Sequence, residues 1–217
     1  MNHGKASFDI REVTQVTSSC LSGMEAVFGA LFPDLTPAFE SILTHRLDAE
    51  GRIQNQIFIG LCGKSVAGIL QIFYYPWKGG LVSVVDLVGV LESFRGSGLG
   101  LKMIRHASAA TEKVASQWQV SRRGLLGLTE LDQGDARSWI VRRVRLFERM
   151  GAQVRRDLVY QYDGLPESSG EIILWYPMSD EVAAVSTKEL AWVLWQSGGL
   201  PSEEFGRRYG ELNSMAP

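Results

Sequence analysis

The stretch Val90-Leu91-Glu92-Ser93-Phe94-Arg95-Gly96-Ser97-Gly98-Leu99-Gly100 places three glycines at alternate positions where an apolar run gives way to a helix-forming one. A strand entering such a turn exposes backbone N–H groups at the positive end of the following helix, and together they form a site for phosphate anions. Glycine lets the anion come close, because no Cβ stands in the way. The preceding run, Val84-Val85-Asp86-Leu87-Val88-Gly89-Val90-Leu91, holds a single acid, Asp86, between Val85 and Leu87. Burial there raises a carboxyl pKa toward neutrality, which suits a general base. The competing reading is a structural aspartate bonded to the backbone. Glu92 and Glu130 are weaker candidates, since acids at strand ends are usually solvated.

The elements that must carry these residues are legible in outline. Residues 6 to 13 alternate like a half-buried strand, and helices are expected over 18–31 and 35–48, the second with Leu35, Phe39, Ile42, Leu43 and Leu47 on one face. Positions 56–61 and 66–75 form a hairpin through Gly63-Lys64, and Pro76-Trp77-Lys78-Gly79-Gly80 turns the chain into a strand over 81–91. That strand is apolar enough to be covered on both faces. A helix over 98–116, a strand over 124–130 and a helix over 135–150 follow. Gly151 suits the end of that last helix. Strands over 154–162 and 171–178 close the domain. Beyond Ser179 the composition changes to a helical tail, with Ser186-Thr187-Lys188-Glu189 as a capping box. Residues 1–180 form one expected domain and 181–217 a helical extension packed on it or on a second subunit.

Two familiar phosphate motifs fail by position. A Walker loop needs Lys followed by Ser or Thr after its last glycine, and Leu101-Lys102-Met103 stands here instead. A Rossmann fingerprint belongs on the first strand, whereas three strands precede this one. The pattern Arg-x-x-Gly-x-Gly at Arg95 to Gly100, on the fourth strand, resembles the GNAT superfamily of N-acyltransferases. The segment Arg145-Leu146-Phe147-Glu148-Arg149-Met150-Gly151 is similar to that family's Arg-Leu-Tyr-Glu-Lys-Leu-Gly, and the element order agrees over residues 6 to 178.

The resemblance implies an α/β (α+β) fold, a mixed and mostly antiparallel sheet flanked by helices. It implies acyl-CoA as co-substrate and no metal. Backbone groups of Val88 and Val90 would bind the pantetheine arm, and the N–H of Val90 or Leu91 would polarise the thioester carbonyl, an oxyanion-type contribution. The N–H groups of Arg95, Gly96, Ser97, Gly98, Leu99, Gly100 and Leu101 would hold the pyrophosphate. The family's tyrosine, which protonates the leaving thiolate, falls on Phe147, so Tyr160 or Tyr162 on the next strand is the substitute. The family's Asn before it falls on Ile140.

Composition bounds the rest. The chain has 217 residues, 45% hydrophobic and 21% charged, which fits one sizeable core. No run reaches the roughly 18 apolar residues of a membrane span, and no signal peptide is evident. Cys20 and Cys62 are too few for a disulfide framework, and His3, His45 and His106 lack metal-ligand spacing. These counts make a cytoplasmic protein the expectation, while the resemblance implies an enzyme acting on a primary amine of a small molecule, and a homodimer is the commonest assembly. Acceptor choice is expected from residues 18–48, 163–170 and Pro76-Trp77-Lys78. Nine arginines crowd residues 122–156 against four acids, while 157–217 is acidic. That basic segment keeps open a donor carried on tRNA, although the pI of about 6.0 and the pyrophosphate motif oppose it. A non-catalytic CoA-binding regulator is the third reading.

Overall fold

The structure, a computed structural model, describes residues 7–14, 18–33, 54–77, 79–130, 139–149, 151–160, 171–177 and Val193. The helix expected over 35–48, the loop 163–170 and the boundary at residue 180 lie outside these. The chain forms two compact units, Met1–Tyr74 with Val85–Val114, and Tyr75–Val84 with Ala115–Pro217.

The first unit is built on strands β1 (Phe8–Glu12) and β2 (Asn55–Cys62), with β3 (Ser65–Trp77) up to Tyr74 and β4 (Gly80–Val90) from Val85, which neighbour one another in that order. β1 pairs antiparallel with β2, Glu12 facing Phe58, and β2 pairs antiparallel with β3, Ile59 facing Ile69. Because side chains alternate along a strand, each register fixes two faces. One face presents Ile57, Ile59, Leu61, Ile69 and Leu87 to Met24, Val27 and Phe28 of helix α1 (Ser18–Leu31). The other meets helix α2 (Leu99–Trp118), whose Leu99, Met103, Ala107, Thr111 and Val114 are buried at helical spacing. Two details dock α2. Leu99 sits over Gly60, where a Cβ would stand 2.9 Å from its Cδ1. His106 packs edge-on against Phe58, ring centroids 4.6 Å apart, and its partial burial lowers its pKa. A polar chain crosses the same face: the Tyr74 hydroxyl donates to Gln56 Oε1 at 2.6 Å, and Gln56 Nε2 donates to Glu12 Oε1 at 2.9 Å.

The second unit orders its strands β4, β5 (Ser121–Glu130), β7 (Glu171–Pro177) and β6 (Gln153–Tyr160). β5 and β7 pair antiparallel without a break from Gly124 facing Pro177 to Glu130 facing Glu171, and β6 pairs antiparallel with β7. Helix α3 (Trp139–Arg149) buries Val144 and Phe147 and exposes Arg145, Glu148 and Arg149. Its end closes at Gly151, φ +92°, whose N–H donates to the Glu148 carbonyl at 2.9 Å.

Three boundaries differ from the sequence reading. β3 runs on through Pro76 and Trp77, leaving only positions 78 and 79 before β4. Proline's fixed φ is compatible with extended backbone, and Pro76 is exposed, so it interrupts nothing. β5 starts at Ser121 because Arg122 and Arg123 join the sheet. The Arg123 stem lies over Gly80, whose Cβ would meet its Cγ at 2.6 Å, so a long charged side chain covers sheet surface. α3 is described from Trp139, residues 131–138 falling outside the described set.

Candidate active site

β4 changes character along its length. Gly80 to Val85 and Leu87 are buried, whereas Val88, Gly89 and Val90 are half-buried and Asp86 is exposed. The expectation of cover on both faces therefore holds only for the first half. Leu87 faces α1, so Asp86, Val88 and Val90 share the opposite face. The Val90 side chain reaches the first turn of α2, its Cγ2 lying 3.8 Å from the Cβ position of Gly100. Asp86 keeps contact with solvent, yet most of what surrounds its carboxyl is protein. The resulting loss of hydration disfavours the charged form and pushes its pKa up to about 6. A carboxylate that solvent can reach, with a pKa near neutrality, can accept a proton from an amine. The sequence reading expected full burial; the observed combination serves the same chemistry better, because a base must meet its substrate.

Beyond Val90 the chain makes one 3₁₀ turn, Glu92–Phe94, and enters α2 through the glycine segment. Phe94 packs edge-on against Phe8 of β1, centroids 6.4 Å apart, and the Lys102 ammonium donates to the Phe8 carbonyl. One residue of β1 thus anchors the loop before and after the glycines. Between those anchors the segment divides its N–H groups. Arg95 N–H donates to the Glu92 carbonyl at 3.1 Å and Ser97 N–H to the Phe94 carbonyl at 3.4 Å. Ser97 Oγ donates to the Phe94 carbonyl at 2.5 Å and accepts from Leu99 N–H at 3.4 Å. The first helical bond is Lys102 N–H to the Gly98 carbonyl. The N–H groups of Gly96, Gly98, Gly100 and Leu101 have no hydrogen-bond partner among the described residues.

Gly96 and Gly98 stand at φ +77° and +90°, and a Cβ on either would meet nothing within 4 Å. These glycines are required by backbone conformation, and the space beside them is open. Four unspent donors at a helix start, next to glycines with open flanks, fit a pyrophosphate. Of the seven N–H groups expected to hold it, Gly96, Gly98, Gly100 and Leu101 are free to do so, while those of Arg95, Ser97 and Leu99 shape the loop. The Arg95 side chain turns back instead, its Nε donating to the Val90 carbonyl at 3.3 Å.

One oxyanion donor is corrected. Leu91 N–H donates to the Ala67 carbonyl at 2.9 Å, so it is spent on the neighbouring strand. Successive N–H groups of a strand point to opposite sides, which turns the Val90 N–H away from β3 and leaves it as the candidate. Phe147 is 6% exposed and offers no proton. Tyr160 ends β6, facing Glu171 of β7 in the register, and its side chain lies outside the described residues, as does Tyr162. Among the described residues no group of His, Cys, Asp and Glu could hold a metal ion, and no helix is long and apolar enough to cross a membrane. Sequence reasoning missed the Phe8 anchor and the seat of α1 on Gly89, both contacts between elements far apart in the chain.

Neither a family model nor a curated protein sequence matches this chain. Solved structures do. A GNAT-family protein from Desulfovibrio desulfuricans superposes with a TM-score of 0.60 at 14% identity, covering 80% of this chain and 100% of its own. NAA60 of Arabidopsis thaliana in complex with acetyl-CoA gives 0.55 at 12% identity, covering 79% and 99%. The ribosomal-protein-S18-alanine N-acetyltransferase of Escherichia coli gives 0.54 at 14% identity, covering 83% and 99%. Strand order, glycine loop and these superpositions agree: the chain has the fold of the GNAT acetyltransferases.

Proposed function

We propose that the protein is an acyl-CoA-dependent N-acyltransferase, which moves an acetyl or other short acyl group directly to a primary amine of a small molecule. The observation that carries this reading is the set of four unspent N–H groups at Gly96, Gly98, Gly100 and Leu101, one turn beyond a strand that exposes Asp86. Acyl-CoA supplies the activated thioester. The glycine segment binds its pyrophosphate, and the half-buried backbone of Val88 and Val90 aligns the arm. Val90 N–H, turned away from β3, donates to the carbonyl oxygen as negative charge develops on it. Asp86 accepts the proton that the amine must lose. The amine nitrogen forms a bond to the acyl carbon, the carbon–sulfur bond breaks, and the sulfur leaves as thiol once protonated. Phe147 cannot supply that proton; Tyr160 is the proposed donor. Much of the acceleration comes from holding amine and thioester together, which is worth about 7–11 kcal/mol in well-oriented systems.

The charge pattern supports CoA over a charged tRNA as donor, since the arginine-rich run 122–156 is outweighed by acids elsewhere to a net charge of -2. The Escherichia coli structure is named for an alanine of ribosomal protein S18, which makes a peptide amine the competing acceptor. A panel of small-molecule amines and peptide amines, assayed with acetyl-CoA by thiol release, decides between them. Thiol release with amines of the panel is the expected result. CoA binding without thiol release from any amine would leave the regulator reading, and absence of CoA binding would overturn both.

A further inference from the structure

The open stretch of β4 has one position without a side chain, Gly89, and the tip of α1 is pressed onto it. A Cβ there would stand 2.7 Å from Leu31 Cδ1 and 3.2 Å from Phe32 Cζ. Phe32 is firmly seated. Its N–H donates to the Phe28 carbonyl at 2.7 Å, its ring tilts against that of Phe28 with centroids 5.3 Å apart, and Phe28 is buried in the core. Leu31 and Phe32 are themselves only half-buried. Each therefore keeps part of its apolar surface accessible while another part is pressed against the one β4 position that has no side chain. The opposite face of the strand is occupied differently. There the Val90 Cγ2 stands 3.5 Å from the Cβ position of Gly68 and 3.8 Å from that of Gly100, beneath the start of α2, and Asp86 follows two steps further along β4 from Val88.

We infer that Leu31 and Phe32 set the size of the acyl group, admitting acetyl and excluding longer chains. The inference rests on the acyl-CoA reading above. An amine adds to a thioester carbonyl from above or below its plane, and its proton goes to Asp86, so the Asp86 face must stay clear for it. A longer acyl chain is left the other face, where it meets two apolar side chains held against a glycine. The limit is one of volume, because neither side chain offers a polar contact. Pockets of this kind discriminate by about 10- to 200-fold per methylene.

The test is calorimetry without any amine, using CoA, acetyl-CoA and hexanoyl-CoA on the wild type, Leu31→Ala, Phe32→Ala and Leu31→Met. The wild type should bind hexanoyl-CoA at least about tenfold more weakly than acetyl-CoA. Either truncation to alanine should shrink that gap while leaving CoA affinity unchanged. Leu31→Met, which keeps the volume, should preserve the gap and so separates lost bulk from a loosened helix end. Equal binding of the two acyl-CoAs by the wild type, or a gap that survives both truncations, overturns the size limit alone. A wild type that binds no CoA overturns the acyl-CoA reading, and this inference with it.

Discussion

Replacing Asp86 with asparagine keeps the side chain's size and removes its ability to take a proton. With a folded pKa of about 6, the carboxylate is the working form, so wild-type kcat/KM should rise with pH through about 6 and level off above it. Asp86→Asn should lower kcat by about 10²-fold or more, abolish that inflection, and leave CoA affinity within about twofold by calorimetry. An unchanged rate and profile would return Asp86 to a structural role. Stability carries an independent signature. The folded pKa lies above the ordinary carboxylate value of 3.8, so between these two values the native state binds more protons than the unfolded one. Stability then falls as pH rises from about 4 to 6. Thermal melts of the wild type should show this fall, and Asp86→Asn should flatten it. A lone acid in an apolar run made Asp86 legible in the sequence. Its exposure was not legible, because coverage of a strand depends on which helix reaches how far along it. The loss of Leu91 as an oxyanion donor was hidden for a related reason: pairing with Ala67 follows from the register with β3, which no local pattern records.

At the scale of elements, the glycine segment can be separated from ordinary glycine strain. Gly98 and Gly63 both sit at positive φ, +90° and +62°, with open space where a Cβ would go. Alanine at either costs about 1 kcal/mol in backbone strain, so Gly98→Ala and Gly63→Ala should lower Tm comparably. Only Gly98→Ala should weaken CoA binding, because only there does the added methyl stand beside the unspent N–H groups. Equal CoA affinity in the two variants would remove the pyrophosphate assignment. Gly68 illustrates the opposite constraint. Its Cβ would fall 2.7 Å from the Gly89 carbonyl oxygen, a backbone atom that cannot step aside. Gly68→Ala should therefore cost about 1–3 kcal/mol in chemical unfolding, whereas Gly100→Ala, with its nearest neighbour at 3.8 Å, should barely change the fold. The glycine motif, its strand and its helix were all readable from spacing. The purpose of Gly60, Gly68 and Gly89 was not, because each is answered by a side chain or carbonyl from another element.

For the whole molecule, element order was the most legible property, since each strand and helix carries its own apolar period and the turns carry their own residues. The identity of the neighbours was legible only through two short motifs; at 12–14% identity the remaining positions share the fold and little else with the solved structures cited above. The C-terminal region was expected to pack as a helix, and its one described residue, Val193, is helical and 1% exposed. Burying such a side chain is worth about 2 kcal/mol, or about 4–8 °C in Tm for a chain of this length. Truncation after Asp180 should therefore lower Tm by at least that amount or cause aggregation on size exclusion. An equally stable, soluble truncation would make the extension dispensable.

The division of labour among the loop N–H groups has a kinetic consequence. The bonds of Arg95 and Ser97 and the anchors on Phe8 hold the segment in shape before any anion arrives, so binding has little backbone left to order. Hydrogen exchange should then report the event amide by amide. In the free protein Gly96, Gly98, Gly100 and Leu101 should exchange rapidly with solvent, and on addition of CoA these four should slow together while Arg95 keeps its rate. Inorganic pyrophosphate, which carries no arm and no acyl group, should slow the same four.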